Sequence, residues 1–196
     1  MREGLIFLTI GPSGTGKSSI IEGVVSRLSN IERIVTYTTR ERRPGEVEGF
    51  EYHFVSTDEF ERLKAAGELA EWQAFYGHQY GSSRDRLESA MAKGLDLIGA
   101  YDVLGSVELT SRYPRHVVTV FILPPSVEEL RRRLIDRYGE ETEEGRVRLN
   151  RLEMEMSHAD SFKYHVCNED LEEAIEDMIG IVRAERSLVE RPDAST

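Results

Sequence analysis

Lysine is scarce in this chain of 196 residues: Lys17, Lys64, Lys93 and Lys163 are the only ones among 25 basic residues, and arginine supplies the rest. Base composition is the plainest source of that excess, so only arginines at particular positions carry an argument. Positive charge is short as well, because 25 basic residues against 36 acidic ones leave a net charge of −11. Such a surface repels nucleic-acid phosphate over most of its area, which argues against a general DNA or RNA binder. Any phosphate that is bound must meet a local cluster of cations. Cysteine occurs once, at Cys167, which excludes an internal disulfide and makes a reducing cytoplasm the expected compartment. At a strand end, that thiol is expected to be a small buried apolar residue. The longest apolar runs, Leu5–Ile10 and Val117–Leu123, are strand-sized and too short to cross a bilayer. The N-terminus lacks a cleavage-site pattern, so no signal peptide is expected. The five histidines have no ligand spacing with one another or with Cys167, which argues against zinc. No internal repeat or low-complexity tract is present. What remains is a globular balance of 39% hydrophobic and 31% charged residues, enough to bury one compact core.

The pattern of apolar residues alternates between strands and helices. Leu5–Ile10 is a continuous apolar run, the mark of a strand buried on both faces. Lys17–Ser29 has helical spacing, and Arg33–Thr39 reads as a second strand. Arg40–Glu51 is charged and glycine-bearing, a loop, and Tyr52–Val55 a short strand. Ser56 with Glu59 forms a capping box for a helix ending near Gly67. Leu69–Tyr76 and Gln79-Tyr80 pair around Gly77-His78, and Ser83–Lys93 is helical. Leu95–Ala100 and Val117–Leu123 are core strands. Ser126 with Glu129 opens a helix running to about Arg137, and Gly139–Glu144 is an acidic loop. Arg146–His158 is helical, Tyr164–Cys167 a strand, and Leu171 onward an amphipathic helix. Long apolar strands alternating with helices indicate an α/β fold with a parallel sheet covered on both faces. The segment from about Arg40 to Tyr80 breaks that rhythm and reads as an insertion.

Gly11-Pro12-Ser13-Gly14-Thr15-Gly16-Lys17-Ser18 fits G-x-x-x-x-G-K-[ST] residue for residue, between a buried strand and a helix. Glycines let backbone N–H groups turn toward phosphate oxygens, and the helix N-terminus adds partial positive charge. Lys17 reaches the β and γ phosphates of a nucleotide, and the Ser18 hydroxyl is placed to ligate Mg²⁺. Ser19, next along the helix, is included in the same nucleotide site.

Further motifs follow in order: Thr38-Thr-Arg40, Arg43-Pro-Gly-Glu46, Gly49 with Tyr52, Glu71-Trp72 and Tyr80-Gly-Ser82. They continue through Pro124-Pro-Ser126, Glu155-Met-Ser-His158 and Asn168-Glu-Asp170. From about Gly4 to Leu188 the chain thereby resembles the guanylate kinases. The resemblance implies a P-loop NTPase core, an inserted nucleoside-monophosphate-binding flap and a small lid. It places the core at 1–35, 84–132 and 150–190, the flap at about 36–83 and the lid at about 133–149. It further implies transfer of the γ-phosphate of ATP to GMP or dGMP, with Mg²⁺. By resemblance, Arg40, Arg43, Tyr52 and Tyr80 hold the GMP phosphate, a grip that two guanidinium forks and two phenols suit. Glu71 is the discriminating residue: guanine presents N1–H and the N2 amine side by side, which one carboxylate accepts together. Adenine would leave a buried carboxylate unpaired, at about 1–3 kcal/mol or more. The plain alternative for Glu71 is a surface-strand glutamate, and the adjacent Trp72 argues against it. Thr36 and Ser82 complete the base pocket by resemblance.

Also by resemblance, Arg133, Arg137 and Arg148 close over the phosphates, and Asn168 lies near the adenine of ATP. Arg133 and Arg137 are four apart on one helix face. The chain departs from the family where a strand usually ends Asp-x-Asp-x-Gln-Gly, since here it reads Ala100-Tyr-Asp102-Val-Leu-Gly105. Asp102 is retained and is placed on the GMP side. The change leaves three readings: a slower or metal-sensitive guanylate kinase, a kinase with its acceptor shifted to a modified or deoxy purine monophosphate, or a GMP-binding scaffold without catalysis. The intact P-loop and lid arginines argue against the last. The expected partners are small-molecule substrates, with no nucleic acid or membrane, and the chain is a monomer or homodimer.

Overall fold

The structure, a computed structural model, describes residues 2–75, 77–139 and 142–189. The chain enters through β1 (Ile6–Ile10), passes a glycine-bearing loop into α1 (Lys17–Arg27) and returns as β2 (Ile31–Arg33). There follow β3 (Thr36–Thr38), β4 (Tyr52–Phe54), α2 (Thr57–Ala65), β5 (Leu69–Phe75) and β6 (His78–Ser83). Next come α3 (Arg84–Ala92), β7 (Asp96–Tyr101), α4 (Val103–Arg112), β8 (Val117–Leu123) and α5 (Val127–Tyr138). The chain ends with α6 (Glu143–Ser157), β9 (Tyr164–Cys167) and α7 (Leu171–Arg186).

Two sheets result. The first is parallel throughout, in the order β2-β7-β1-β8-β9. Alternation along β1 sends Phe7 to one face, where it joins Ile20 and Val24 of α1 and Ile175 and Met178 of α7. Ile6, Leu8 and Ile10 go to the other face, against Leu87 and Ala90 of α3 and Leu109 of α4. Helices therefore cover both faces, which is why the strands are apolar along their whole length. The second sheet, in the order β4-β3-β6-β5, is drawn wholly from the stretch between β3 and β6. Its β5–β6 hairpin turns at Gly77, whose φ of +76° favours glycine. Its apolar support is small: Phe60 and Leu63 of α2 with Leu69 of β5.

Three sequence expectations need correction, and one helix adds to them. Arg33–Thr39 is not one strand: Ile31–Arg33 pairs with β7 in the first sheet, and Thr36–Thr38 pairs with β4 and β6 in the second. The continuous apolar run through Ile34 and Val35 hides the point at which the chain changes sheets. The stretch after β7 is helix α4, capped by Asp102, whose Oδ1 accepts from Gly105 N at 2.7 Å. The acidic loop is shorter than expected, because α6 already begins at Glu143; carboxylates in a first helical turn favour that start. Cys167 is exposed, not buried.

Candidate active site

The loop between β1 and α1 is held open by backbone geometry. Gly11, Gly14 and Gly16 have φ of +138°, +88° and +88°. At Gly11 a Cβ would come within 2.7 Å of the Ile122 carbonyl, and at Gly16 within 2.1 Å of Asn168 Nδ2. Thr15 Oγ1 donates to the Pro12 carbonyl at 3.0 Å and tightens the turn. Lys17 Nζ donates to the Gly11 and Pro12 carbonyls at 2.6 and 2.8 Å, so the ammonium lies over the cradle. The first turn of α1 holds no acidic residue, and Ser18 and Ser19 are exposed there. That helix end is thus a positive pole open to an anion. Asn168 is buried, and its Nδ2 donates to Thr15 O at 2.7 Å. Its side chain braces the loop from the end of β9.

The second sheet gathers a different set. Arg40 donates to Glu46 Oε1 at 2.6 Å, and its guanidinium lies 5.3 Å from the Tyr52 ring centroid. The Tyr52 and Tyr80 rings meet at 5.8 Å. Glu46 Oε2 accepts from the Arg43 N–H at 2.8 Å. Burial raises the Glu46 carboxyl, but Arg40 and the Arg43 N–H outweigh it and hold the group below its ordinary range. The structure thus brings Arg40, Tyr52 and Tyr80 together, with the Glu46 carboxylate held by Arg40 and the Arg43 backbone. Thr36 is half-buried on β3, in register with Tyr52.

Glu71 is only 4% exposed, which removes the surface-strand alternative. Trp72 faces the other way, 40% exposed with Lys64 Nζ 3.6 Å from its ring centroid, so it was no guide to the burial of Glu71. Glu71 Oε1 accepts from Ser82 Oγ at 2.7 Å, and Oε2 lies 3.1 Å from where a Cβ on Gly105 would stand. Gly105 therefore leaves space beside the carboxylate. Burial raises the Glu71 carboxyl to about 7; the hydroxyl of Ser82 opposes the rise, and Asp102 and Glu108 add to it.

In the third group, Arg133 on α5 donates from Nε to Glu129 at 2.9 Å. Its Cβ lies 4.0 Å from the Cβ position of Gly14, which seats α5 against the loop. Arg137 and Arg148 belong to α5 and α6, but their side chains lie outside the described residues.

Compared with known proteins, residues 3–185 match the guanylate kinase family model. The chain belongs to the guanylate kinase family. Curated guanylate kinases of Thermotoga maritima and Agrobacterium fabrum are 39% and 40% identical to it, over 96% and 94% of this chain and 91% and 84% of theirs. The crystal structure of guanylate kinase from Anaplasma phagocytophilum superposes with a TM-score of 0.80 at 36% identity, covering 96% of this chain and 89% of that one.

Family membership makes the altered strand end of β7 informative. Ala100 is exposed although β7 is an inner strand, flanked by β2 and β1. Leu104 is 61% exposed on α4. No group of three or more His, Cys, Asp or Glu suited to a metal occurs among the described residues. The exposed Ser18 hydroxyl nevertheless fits a magnesium ion that takes its other ligands from nucleotide phosphates and water. Among the described residues no helix is long and apolar enough to cross a membrane. One polar group escaped the sequence reading: Tyr101, whose hydroxyl lies 2.7 Å from Ser82 Oγ. Only its place beside Asp102, inside the altered motif, could have drawn attention to it.

Proposed function

We propose that this member of the guanylate kinase family is an ATP:GMP phosphotransferase, moving the γ-phosphate of ATP to GMP or dGMP. The observation that carries the reading is the buried Glu71 carboxylate, facing Gly105 and Asp102 between the two sheets. A buried carboxylate needs donors, and guanine N1–H and N2–H supply two that adenine lacks. Thr36, Ser82 and Asp102 complete that pocket.

Two phosphates must then be brought in line. The N–H groups from Gly11 to Ser18 hold those of ATP, with Ser19 beside them and Asn168 bracing the loop toward the adenine. Lys17 exchanges the Gly11 and Pro12 carbonyls for the β and γ phosphates. On the other side Arg40, Arg43, Tyr52 and Tyr80 take the GMP phosphate, and the Glu46 carboxylate now resting on Arg40 marks where an anion is welcome. Arg133, Arg137 and Arg148 bridge the two nucleotides as a lid. No covalent intermediate is required, because alignment and neutralisation of charge on the moving group lower the barrier. When bound with ATP, magnesium supplies further neutralisation, and Ser18 is the residue that would hold it. The parts divide as a core at 1–35, 84–132 and 150–190, an acceptor flap at 36–83 and a lid at 133–149. The enzyme works in the cytoplasm on small molecules, as a monomer or homodimer, without a nucleic-acid or membrane partner. Coupled ADP release across GMP, dGMP, AMP, UMP and CMP tests the reading. Release with the guanine acceptors supports it; preference for another base, or no release with any, contradicts it.

A further inference from the structure

One buried hydroxyl beside the acceptor site has no role in the account so far. Tyr101 ends β7 in register with Ile10 of β1, so its backbone belongs to the first sheet. Its side chain is nearly covered, at 8% exposure, and its hydroxyl meets Ser82 Oγ of the second sheet at 2.7 Å. Ser82 Oγ lies 2.7 Å from Glu71 Oε1. The three groups form one hydrogen-bonded chain across the seam between the sheets. Gly99 makes the room for it, since a Cβ there would stand 3.0 Å from both Tyr101 Cε2 and Ile34 Cβ.

Counting protons fixes the direction of the chain. An ionised carboxylate only accepts, and a serine hydroxyl has one proton to give. Ser82 spends that proton on Glu71, so Tyr101 must donate to Ser82. The phenol keeps its proton for this purpose, because burial and the neighbouring Glu71 hold it above its ordinary range. The remaining groups that face Glu71 oppose its charge: Asp102 and Glu108, both on the α4 side. Glu108 also lies 3.5 Å from Gln73 Nε2 of β5. The two hydroxyls of β6 and β7 are thus set against two carboxylates, the Asp102 cap of α4 and Glu108 within it.

We propose that Tyr101 is a positioning residue for acceptor selection: through Ser82, its hydroxyl favours the charged form of Glu71 and orients it to accept the two N–H groups of guanine. This rests on the reading of Glu71 given above. Tyr101→Phe keeps the ring and removes only the hydroxyl. Carbon-13 NMR of the Glu71 carboxyl in the nucleotide-free protein follows its ionisation directly. The expected result is an upward move of the midpoint by about one pH unit in Tyr101→Phe. Ser82→Ala cuts the same chain and is expected to move the midpoint in the same direction. In Tyr101→Phe the KM for GMP should rise about tenfold below the midpoint and converge on the wild-type value well above it, while the KM for ATP holds. A purely structural loss would raise KM at every pH. A midpoint unmoved in both variants, or a KM loss independent of pH, overturns the proposal. Failure of the parent reading is a separate result: wild-type protein that does not distinguish GMP from AMP removes Glu71 from base selection, while the NMR midpoint still judges the link to Tyr101.

Discussion

The two sheets of this molecule meet opposite demands. In the first, β1 is buried at every position, and Ile6, Phe7, Leu8 and Ile10 are wholly covered. Its contribution to chemistry is backbone, delivered where glycines turn the chain at the strand end. In the second, β3 and β4 are three residues long, and the apolar cluster shrinks to Phe60, Leu63 and Leu69 with a few partly buried neighbours. Yet that smaller sheet buries Thr38, Glu71 and Ser82. A frame that grips phosphate needs only N–H groups and a cation, so it is free to be apolar. A wall that separates one purine from another must bury a polar group and bear its desolvation, because only an unsatisfied partner penalises the wrong base.

Substitutions on either side should pull these two regions apart. Lys17→Ala removes the cation of the phosphate frame and is expected to lower kcat by about 10²–10³-fold. GMP affinity measured by calorimetry should stay within about twofold, since the second sheet is untouched. A parallel loss of GMP affinity would show that the two regions do not act separately. Arg40→Ala reverses the pattern. Steady-state kinetics should show the KM for GMP rising about 10- to 100-fold, as befits a lost charge-assisted contact, with the KM for ATP unchanged.

A further effect concerns stability. The ordinary value of a glutamate carboxyl is 4.5, and burial raises that of Glu71 to about 7. Folding therefore favours its neutral form. The contribution is fully present below the ordinary value and is lost as pH rises through about 7. Urea titrations should find the wild-type protein losing about 2–3 kcal/mol from this group between mildly acidic and mildly alkaline pH. Glu71→Gln keeps an acceptor for Ser82 and should flatten that slope.

Legibility in the sequence followed the range of the interactions. The loop from Gly11 to Ser18 was readable residue by residue because positive φ, the helix start and the phosphate cradle are local. Strands β1 and β8 were readable because both of their faces are buried. Helix α4 was not: Leu104 and Val107 are both 61% exposed, so its apolar residues do not mark a buried stripe. The Asp102 cap was its one local signal. The change of sheets after Arg33 was hidden because Ile34 and Val35 are apolar on both sides of the break. Burial of Glu71 was anticipated for a poor reason, as the exposure of Trp72 demonstrates. The link from Tyr101 to Glu71 through Ser82 is tertiary, and no spacing along the chain announces it.

The central claim is that one carboxylate in the smaller sheet reads the acceptor base. The ratio of kcat/KM for GMP to that for AMP, in wild-type protein and in Glu71→Gln, tests it most directly. The account predicts that the ratio falls by about tenfold or more in the variant, mainly through loss of GMP. An unchanged ratio in a folded, active variant would contradict it.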